Sequence, residues 1–403
     1  MITLTESQWQ WVDEHRHSDA TELLLHRPAD IPAEAVEQIA ARQSAATKLR
    51  HTLKRCPRLW FPSALLAQQC TSDAVARYHS SLLGEDERHV LDMTAGLGID
   101  AMHIMCGGKR VCMCEISECA AEALRHNTSL MGIDDAEVVC ADSSEWIKSV
   151  ASDGFDVIFI DPARRDSTHG RRLRSLTECS PNVVELLGEM LRVAPRVLVK
   201  ASPMLEISEL ARSLRHIHSV TAVGHKRSCS ELLIDLRRSA DSDAMTVGAV
   251  TLDDEGRTSA SVYFACDDVS TDSYRSPAPG LVWYEPYAPV MKAGRFGQLS
   301  SRYGICQLSR HGHVYICEPQ DAPASFPGLK YTITEVVKAS KAEMRRLGKL
   351  YAPTGADVAV RHYPMTAEEL RRAMGITRSS ATRIIGCRDA QDRKWLVVVE
   401  CRE

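Results

Sequence analysis

Between about residue 88 and residue 236, short apolar runs rich in β-branched residues alternate with stretches of helical composition, and this alternation limits the fold more than any other feature of the chain. The runs are His89-Val90-Leu91, Val111-Cys112-Met113-Cys114, Glu137-Val138-Val139-Cys140, Val157-Ile158-Phe159-Ile160 and Val197-Leu198-Val199, with Leu232-Leu233-Ile234 as a later strand. Runs without polar alternation suit strands covered on both faces, and the helical stretches between them suit the crossovers of a parallel sheet. The expected core is an α/β, Rossmann-like domain over residues 81–239.

A chain of 403 residues exceeds one ordinary hydrophobic core, so flanking modules are expected. Residues 1–80 read as a helical region with Pro32 near the start of one helix, and no chemistry is visible there. The polar run from Arg237 to Asp243 marks a boundary, after which residues 240–327 mix strands with Pro and Gly turns as a small α+β unit. A second boundary near Pro323 to Gly328 opens a module over 328–403, with helices around 338–350 and 366–374 and a strand from Trp395 to Glu400. This last module carries 15 basic against 9 acidic residues, +6, while the rest of the chain carries 34 against 44, or −10. Such a split hints at a nucleic-acid-binding module.

The opening residues lack a basic stretch followed by an apolar one, and no run of about 18 apolar residues occurs, so a cytoplasmic protein without a membrane span is expected. The 14 cysteines read as reduced thiols. Cys106, Cys112, Cys114 and Cys119 lack paired C-x2-C spacing, and no metal is expected. Oligomeric state is not set by the sequence.

Chemistry concentrates first at Val90-Leu91-Asp92-Met93-Thr94-Ala95-Gly96-Leu97-Gly98-Ile99-Asp100-Ala101, a strand entering a glycine turn and then a helix. Gly96-x-Gly98-x-x-Ala101 satisfies the dinucleotide pattern, whose turn brings a pyrophosphate against a helix N-terminus. Asp92 weighs against that reading, because a carboxylate at the strand end opposes a pyrophosphate. The same acid favours S-adenosylmethionine, whose ammonium and sulfonium are cationic and which carries no phosphate. Glu115, with Ile116 after it, ends the next strand where a carboxylate can accept ribose hydroxyl protons. Asp142, beside Ser143, follows the third strand and can accept from an adenine amino group, although Asp and Ser after a strand also serve as helix caps. The expected cofactor residues are Asp92, Thr94, Gly96, Gly98, Glu115, Ile116, Asp142 and Ser143.

The strand Val157 to Ile160 runs into Asp161-Pro162-Ala163-Arg164-Arg165-Asp166, where such sheets place reacting groups. Methyl transfer from a sulfonium is an in-line displacement, so Asp161, Pro162 and Arg164 are the expected catalytic residues, positioning a nucleophile and accepting its proton. The string resembles the Asp/Asn-Pro-Pro-aromatic signature of amino-methyltransferases, with Ala163 in place of a proline and Arg164 in place of the aromatic. It is also similar to the Asp-Pro-Pro-Arg form of RNA uracil C5-methyltransferases, but the cysteine those enzymes need is missing from Val199-Lys200-Ala201-Ser202-Pro203-Met204, which disfavours that mechanism. Arg164, Arg165, Arg171, Arg172 and Arg174 place five guanidinium groups in eleven residues, suited either to phosphate or to a solvated loop. Of these, Arg164, Arg165, Arg171 and Arg172 are the expected substrate-binding residues, and Lys200 and His169 are candidate proton handlers.

These strings together resemble bacterial class I S-adenosylmethionine-dependent methyltransferases with a C-terminal THUMP-like domain. The resemblance rests on Gln69 to Tyr78, Leu91 to Asp100, Ile160 to Asp166 and Lys200 to Met204, with Tyr284-Glu285-Pro286 and Val290 to Gly294 similar to that family's ferredoxin-like module and 329–403 to its THUMP-like domain. It implies S-adenosylmethionine as cofactor and RNA, tRNA or rRNA, as partner. Three alternatives remain open: a small-molecule methyltransferase, an NAD-linked oxidoreductase, and a non-catalytic RNA-binding protein that keeps the cofactor site.

Overall fold

The computed structural model describes residues 4–133, 136–164, 175–270 and 272–401. It divides into two compact units, Met1–Val223 with Ser230–Met245 and Leu252–Ser259, and Gly224–Cys229 with Thr246–Thr251 and Ala260–Glu403.

The first unit opens on helices α1 (Glu6–Glu14), α2 (Ala20–His26), α3 (Ala33–Ala45), α4 (Arg50–Arg55), α5 (Ala64–Gln69) and α6 (Asp73–Ser81). Their starts are written in the sequence. Thr5 and Gln8 close a capping box, Asp19, Ser63 and Ser72 cap α2, α5 and α6 through side-chain oxygens, and Pro32 precedes α3. Leu49, Leu59 and Phe61 from this region share one core cluster with Leu97 and Met102, so it packs directly on the glycine turn and the helix after it. Asp73 adds a polar tie: buried, it accepts from the amides of His51 and Thr52 at 2.7 and 3.1 Å, from the Thr52 hydroxyl at 2.5 Å, and pairs with His103 at 3.1 Å.

The sheet follows, built from β1 (His89–Asp92), α7 (Ile99–Cys106), β2 (Arg110–Glu115), α8 (Glu118–Leu130), β3 (Glu137–Cys140), α9 (Ser143–Trp146), β4 (Val157–Ile160), the short pair β5 (Ala163–Arg164) and β6 (Cys179–Ser180), α10 (Val183–Val193), β7 (Arg196–Ala201), α11 (Ile207–Ser213), β8 (Ile217–His225) and β9 (Ser228–Arg237). Within this unit its order is β8-β9-β7-β4-β1-β2-β3. Strands β1, β2, β3, β4 and β7 are parallel, and β9 runs antiparallel to β7. All four residues of β4 are buried, as strands covered on both faces require. The chain leaves β1 towards β2 and β3 on one side and returns to β4 on the other, and this divergence opens a crevice at the carboxyl ends of β1 and β4.

The second unit takes most of β10 (Thr246–Leu252) and β11 (Thr258–Phe264), then β12 (Val282–Pro286), α12 (Ala288–Ala293), α13 (Phe296–Tyr303), β13 (Cys306–Gln307), β14 (Tyr315–Cys317), β15 (Gly328–Lys338), α14 (Lys341–Tyr351), β16 (Asp357–Arg361), α15 (Ala367–Met374), β17 (Thr382–Arg388) and β18 (Lys394–Glu400). Strands β13-β14-β12-β15-β18-β17-β16 form one sheet. Alternation along β18 fills both of its faces: Val397 and Val399 join the cluster of Trp283 and Ile333, while Leu396 and Val398 join Leu347 and Leu370 beneath α14 and α15. The fold is the expected one, an α/β domain with a helical N-terminal region and C-terminal α+β structure. Two elements differ in extent: the later strand grows to Ser228–Arg237, and residues 338–340, read as helix, complete β15 and cap α14 through Ser340. Among the described residues no helix is long and apolar enough to cross a membrane.

Candidate active site

The acids singled out from sequence converge on the carboxyl edge of the first unit's sheet. Asp92 ends β1, Glu115 ends β2, Asp142 follows β3 and Asp161 follows β4, and all four line one cavity of about 1100 Å³. Thr94, Gly96, Gly98, Ile116, Ser143 and Pro162 line it as well.

Each residue does something specific there. Asp92, 2% exposed, accepts the Thr94 amide on Oδ1 at 3.0 Å and leaves Oδ2 without a partner among the described residues. Burial, with the carboxylates of Asp100, Asp161 and Glu115 nearby, pushes its pKa up to about 8. Glu115 holds the Gly96 amide on Oε2 at 2.8 Å and the Ser117 amide on Oε1 at 2.9 Å, which fixes the glycine turn against β2. Gly96 and Gly98 both take positive φ, 54° and 78°. Their uses diverge, since a Cβ on Gly98 would meet Leu124 Cδ2 at 2.4 Å, whereas one on Gly96 would have only Thr94 O, at 3.9 Å. Gly98 therefore serves helix packing, and Gly96 keeps the loop backbone open. Ile116 is an exposed apolar side chain on the cavity wall. Asp142 caps α9 through the Ser144 amide at 2.8 Å, and Ser143 is buried at the start of that helix. Thr94 accepts the Asp161 amide at 2.7 Å, bracing the end of β4 against the turn after β1.

Beside Asp161 lies a charged network. Lys200, on β7, donates to Asp161 Oδ2 at 2.5 Å and to Thr71 Oγ1 at 2.9 Å. Thr71 donates to Asp100 Oδ2 at 2.5 Å, and the fully buried His79 ring bridges Asp100 at 2.7 Å and Glu231 at 2.6 Å. Burial alone would strip the proton from His79, but Glu231 and Asp100 outweigh it and raise its pKa to about 10. Burial likewise opposes charge on Lys200, and Asp161, Asp100 and Glu231 together overcome it, so the ammonium is held. Asp161 is raised by burial, with Lys200 opposing in part.

Known proteins are similar to this chain in sequence and in structure. Residues 73–180 match the family described as conserved hypothetical protein 95, residues 283–327 a ferredoxin-like domain and residues 328–401 a THUMP domain-like family. A protein of Porphyromonas gingivalis W83, provisionally assigned as a methyltransferase, is 24% identical and superposes over 100% of both chains with a TM-score of 0.84. The chain has the fold of a methyltransferase with a C-terminal THUMP-like domain. A SAM-dependent methyltransferase from Agrobacterium tumefaciens (16% identical, 32% of this chain and 42% of that one, TM-score 0.25) and a ribosomal protein L11 methylase from Lactobacillus delbrueckii subsp. bulgaricus (16%, 45% and 81%, TM-score 0.31) are partial likenesses. A search of the curated proteins finds no match.

Other residues of this site carry little local sequence signal. Residues 1–80 were expected to hold no chemistry, yet Lys48, Cys70 and Thr71 line the cavity and Thr71 joins Lys200 to Asp100. The only local hint was Asp100, an acid in the first turn after Gly98. His79 and Glu231 lie 152 residues apart and share no local pattern. Arg165, Arg171, Arg172, Arg174 and His169 fall outside the described residues, as does the side chain of Arg164.

Proposed function

We propose that the protein transfers a methyl group from S-adenosylmethionine to RNA, tRNA or rRNA. The observation that carries the reading is Asp92: an acid buried at the strand end, with one carboxylate oxygen left to the cavity, suits a cationic ligand and opposes a pyrophosphate. Asp92 is the partner for the ligand's positive charge, the turn at Gly96 lets backbone approach it, Glu115 retains lone pairs for ribose hydroxyls, and Ile116 offers an apolar surface to a base. Asp142 and Ser143 stand at the third strand end for the adenine edge. When bound, S-adenosylmethionine supplies an electrophilic methyl group on sulfonium. Asp161 accepts the acceptor's proton, Thr94 holds its backbone, and Pro162 shapes the wall beside it. Arg164, Arg165, Arg171 and Arg172 are assigned to RNA phosphate on guanidinium density alone, and the +6 charge of residues 328–403 favours the same partner.

Nucleoside mass spectrometry on RNA from deletion and complemented strains tests the reading. One methylated nucleoside is expected to vanish on deletion, return with the wild-type chain, and stay missing with Asp161→Ala. Unchanged RNA in the deletion strain would contradict it.

A further inference from the structure

We propose that the acceptor is a hydroxyl oxygen, the ribose 2′-hydroxyl of RNA, activated between Asp161 and Lys200; this rests on the reading of the protein as an RNA methyltransferase and names its atom.

The pairing of β4 with β7 aligns Ile160 with Val199, so Asp161 and Lys200 are the next residues along adjacent strands. Both line the cavity. An ammonium has three N–H donors. Lys200 commits one to Asp161 Oδ2 and one to Thr71 Oγ1, leaving a third. Asp161 uses Oδ2 for Lys200 and its amide for Thr94, leaving Oδ1 without a partner among the described residues on a side chain that is 41% exposed. A proton acceptor and a cationic donor therefore stand side by side, with the carboxylates of Asp100 and Glu231 stabilising the ammonium from behind.

The charge of that pair selects the acceptor. An amine attacking a methyl group gains positive charge, which a neighbouring ammonium opposes. A hydroxyl attacking as its proton leaves gains negative charge on oxygen, which the ammonium stabilises. The string Asp161-Pro162-Ala163 also lacks the aromatic that would stack a base, and a sugar hydroxyl can react without its base entering the site. In the step, the O–H bond breaks and its proton passes to Asp161 Oδ1. The oxygen bonds the methyl carbon, and the electron pair of the broken S–C bond stays on sulfur, neutralising the sulfonium.

The test is fragmentation mass spectrometry of the nucleoside lost on deletion, with alkaline hydrolysis of the same RNA, joined to calorimetry of Lys200→Met with S-adenosylmethionine. The expected result is a methyl group on the ribose, a linkage resistant to alkali in wild-type RNA, and a methylation rate for Lys200→Met lower by about 100-fold or more. Cofactor affinity of that variant should stay within about threefold of wild type, which separates a lost acceptor from a lost fold. Should Lys200→Met fail to bind cofactor, the position of the methyl group alone decides. A methyl group on a base nitrogen or carbon overturns the hydroxyl acceptor and leaves the RNA reading intact, whereas RNA lacking no nucleoside overturns both.

Discussion

Carboxylates in the two units are treated in opposite ways. In the second unit Glu285, buried in β12, receives Arg361 at 2.8 Å and Arg383 at 2.7 Å on one oxygen and the Trp283 indole N–H at 3.3 Å on the other. Its charge is met by two guanidinium groups and an indole N–H of its own fold. In the first unit Asp92 and Asp161 each leave one oxygen facing the cavity. Carboxylates satisfied by their own fold maintain packing, and those left open are the ones placed to do chemistry.

The comparison sets the size of four effects. The largest is expected at His79→Leu, which removes the imidazolium between the buried acids Asp100 and Glu231 and should cost about 3–5 kcal/mol in chemical denaturation. Because His79 is raised above its unfolded value, its stabilisation is complete below pH about 6.5 and fades as pH rises through about 10. His79→Leu should lack that alkaline loss; equal stability of variant and wild type at pH 7 would make the network ornamental. Next comes Asp92→Asn, expected to weaken S-adenosylmethionine by about 100-fold in calorimetry while leaving the melting temperature equal or higher, since a raised carboxyl pKa destabilises the fold as pH climbs from about 4 towards 8. A lower melting temperature would put Asp92 in the same class as Glu285. Glu285→Gln should do the reverse, lowering stability by about 2 kcal/mol with cofactor affinity unchanged, the cost moderated by the partial exposure of Arg361 and Arg383. Loss of cofactor affinity there would break the distinction.

The same contrast explains what was legible in the sequence. Asp92, Glu115 and Asp161 stand at strand ends, and an unbroken apolar run followed by an acid is local information. Gly96 and Gly98 were visible as a turn, but not their division of labour, which depends on Leu124 lying above one and not the other. Thr94, expected beside the cofactor, lines the cavity and also accepts the Asp161 amide, a second use that the sequence does not mark. The network behind Lys200 joins Thr71, His79, Asp100 and Glu231 from the helical region, α7 and β9, and such partners meet only after the sheet is assembled. The helical N-terminal region and the C-terminal α+β structure follow from composition, whereas the sharing of one sheet by β12 and β15, on either side of residue 327, depends on pairing that no single segment encodes.

The smallest effect, read per pH unit, is also the most direct test of the central claim, that an acid-lined crevice takes a cationic methyl donor. Titrate the wild-type chain with S-adenosylmethionine by calorimetry from pH 6 to pH 9, in buffers of differing ionisation enthalpy, and with NAD as the comparison ligand. Asp92 must ionise to meet the ligand's charge, so affinity should rise by up to about tenfold per pH unit below about pH 8 and then level, with proton release on binding at pH 7 and no binding of NAD. Binding of NAD in place of S-adenosylmethionine, or S-adenosylmethionine binding that neither releases a proton nor varies with pH, would contradict the account.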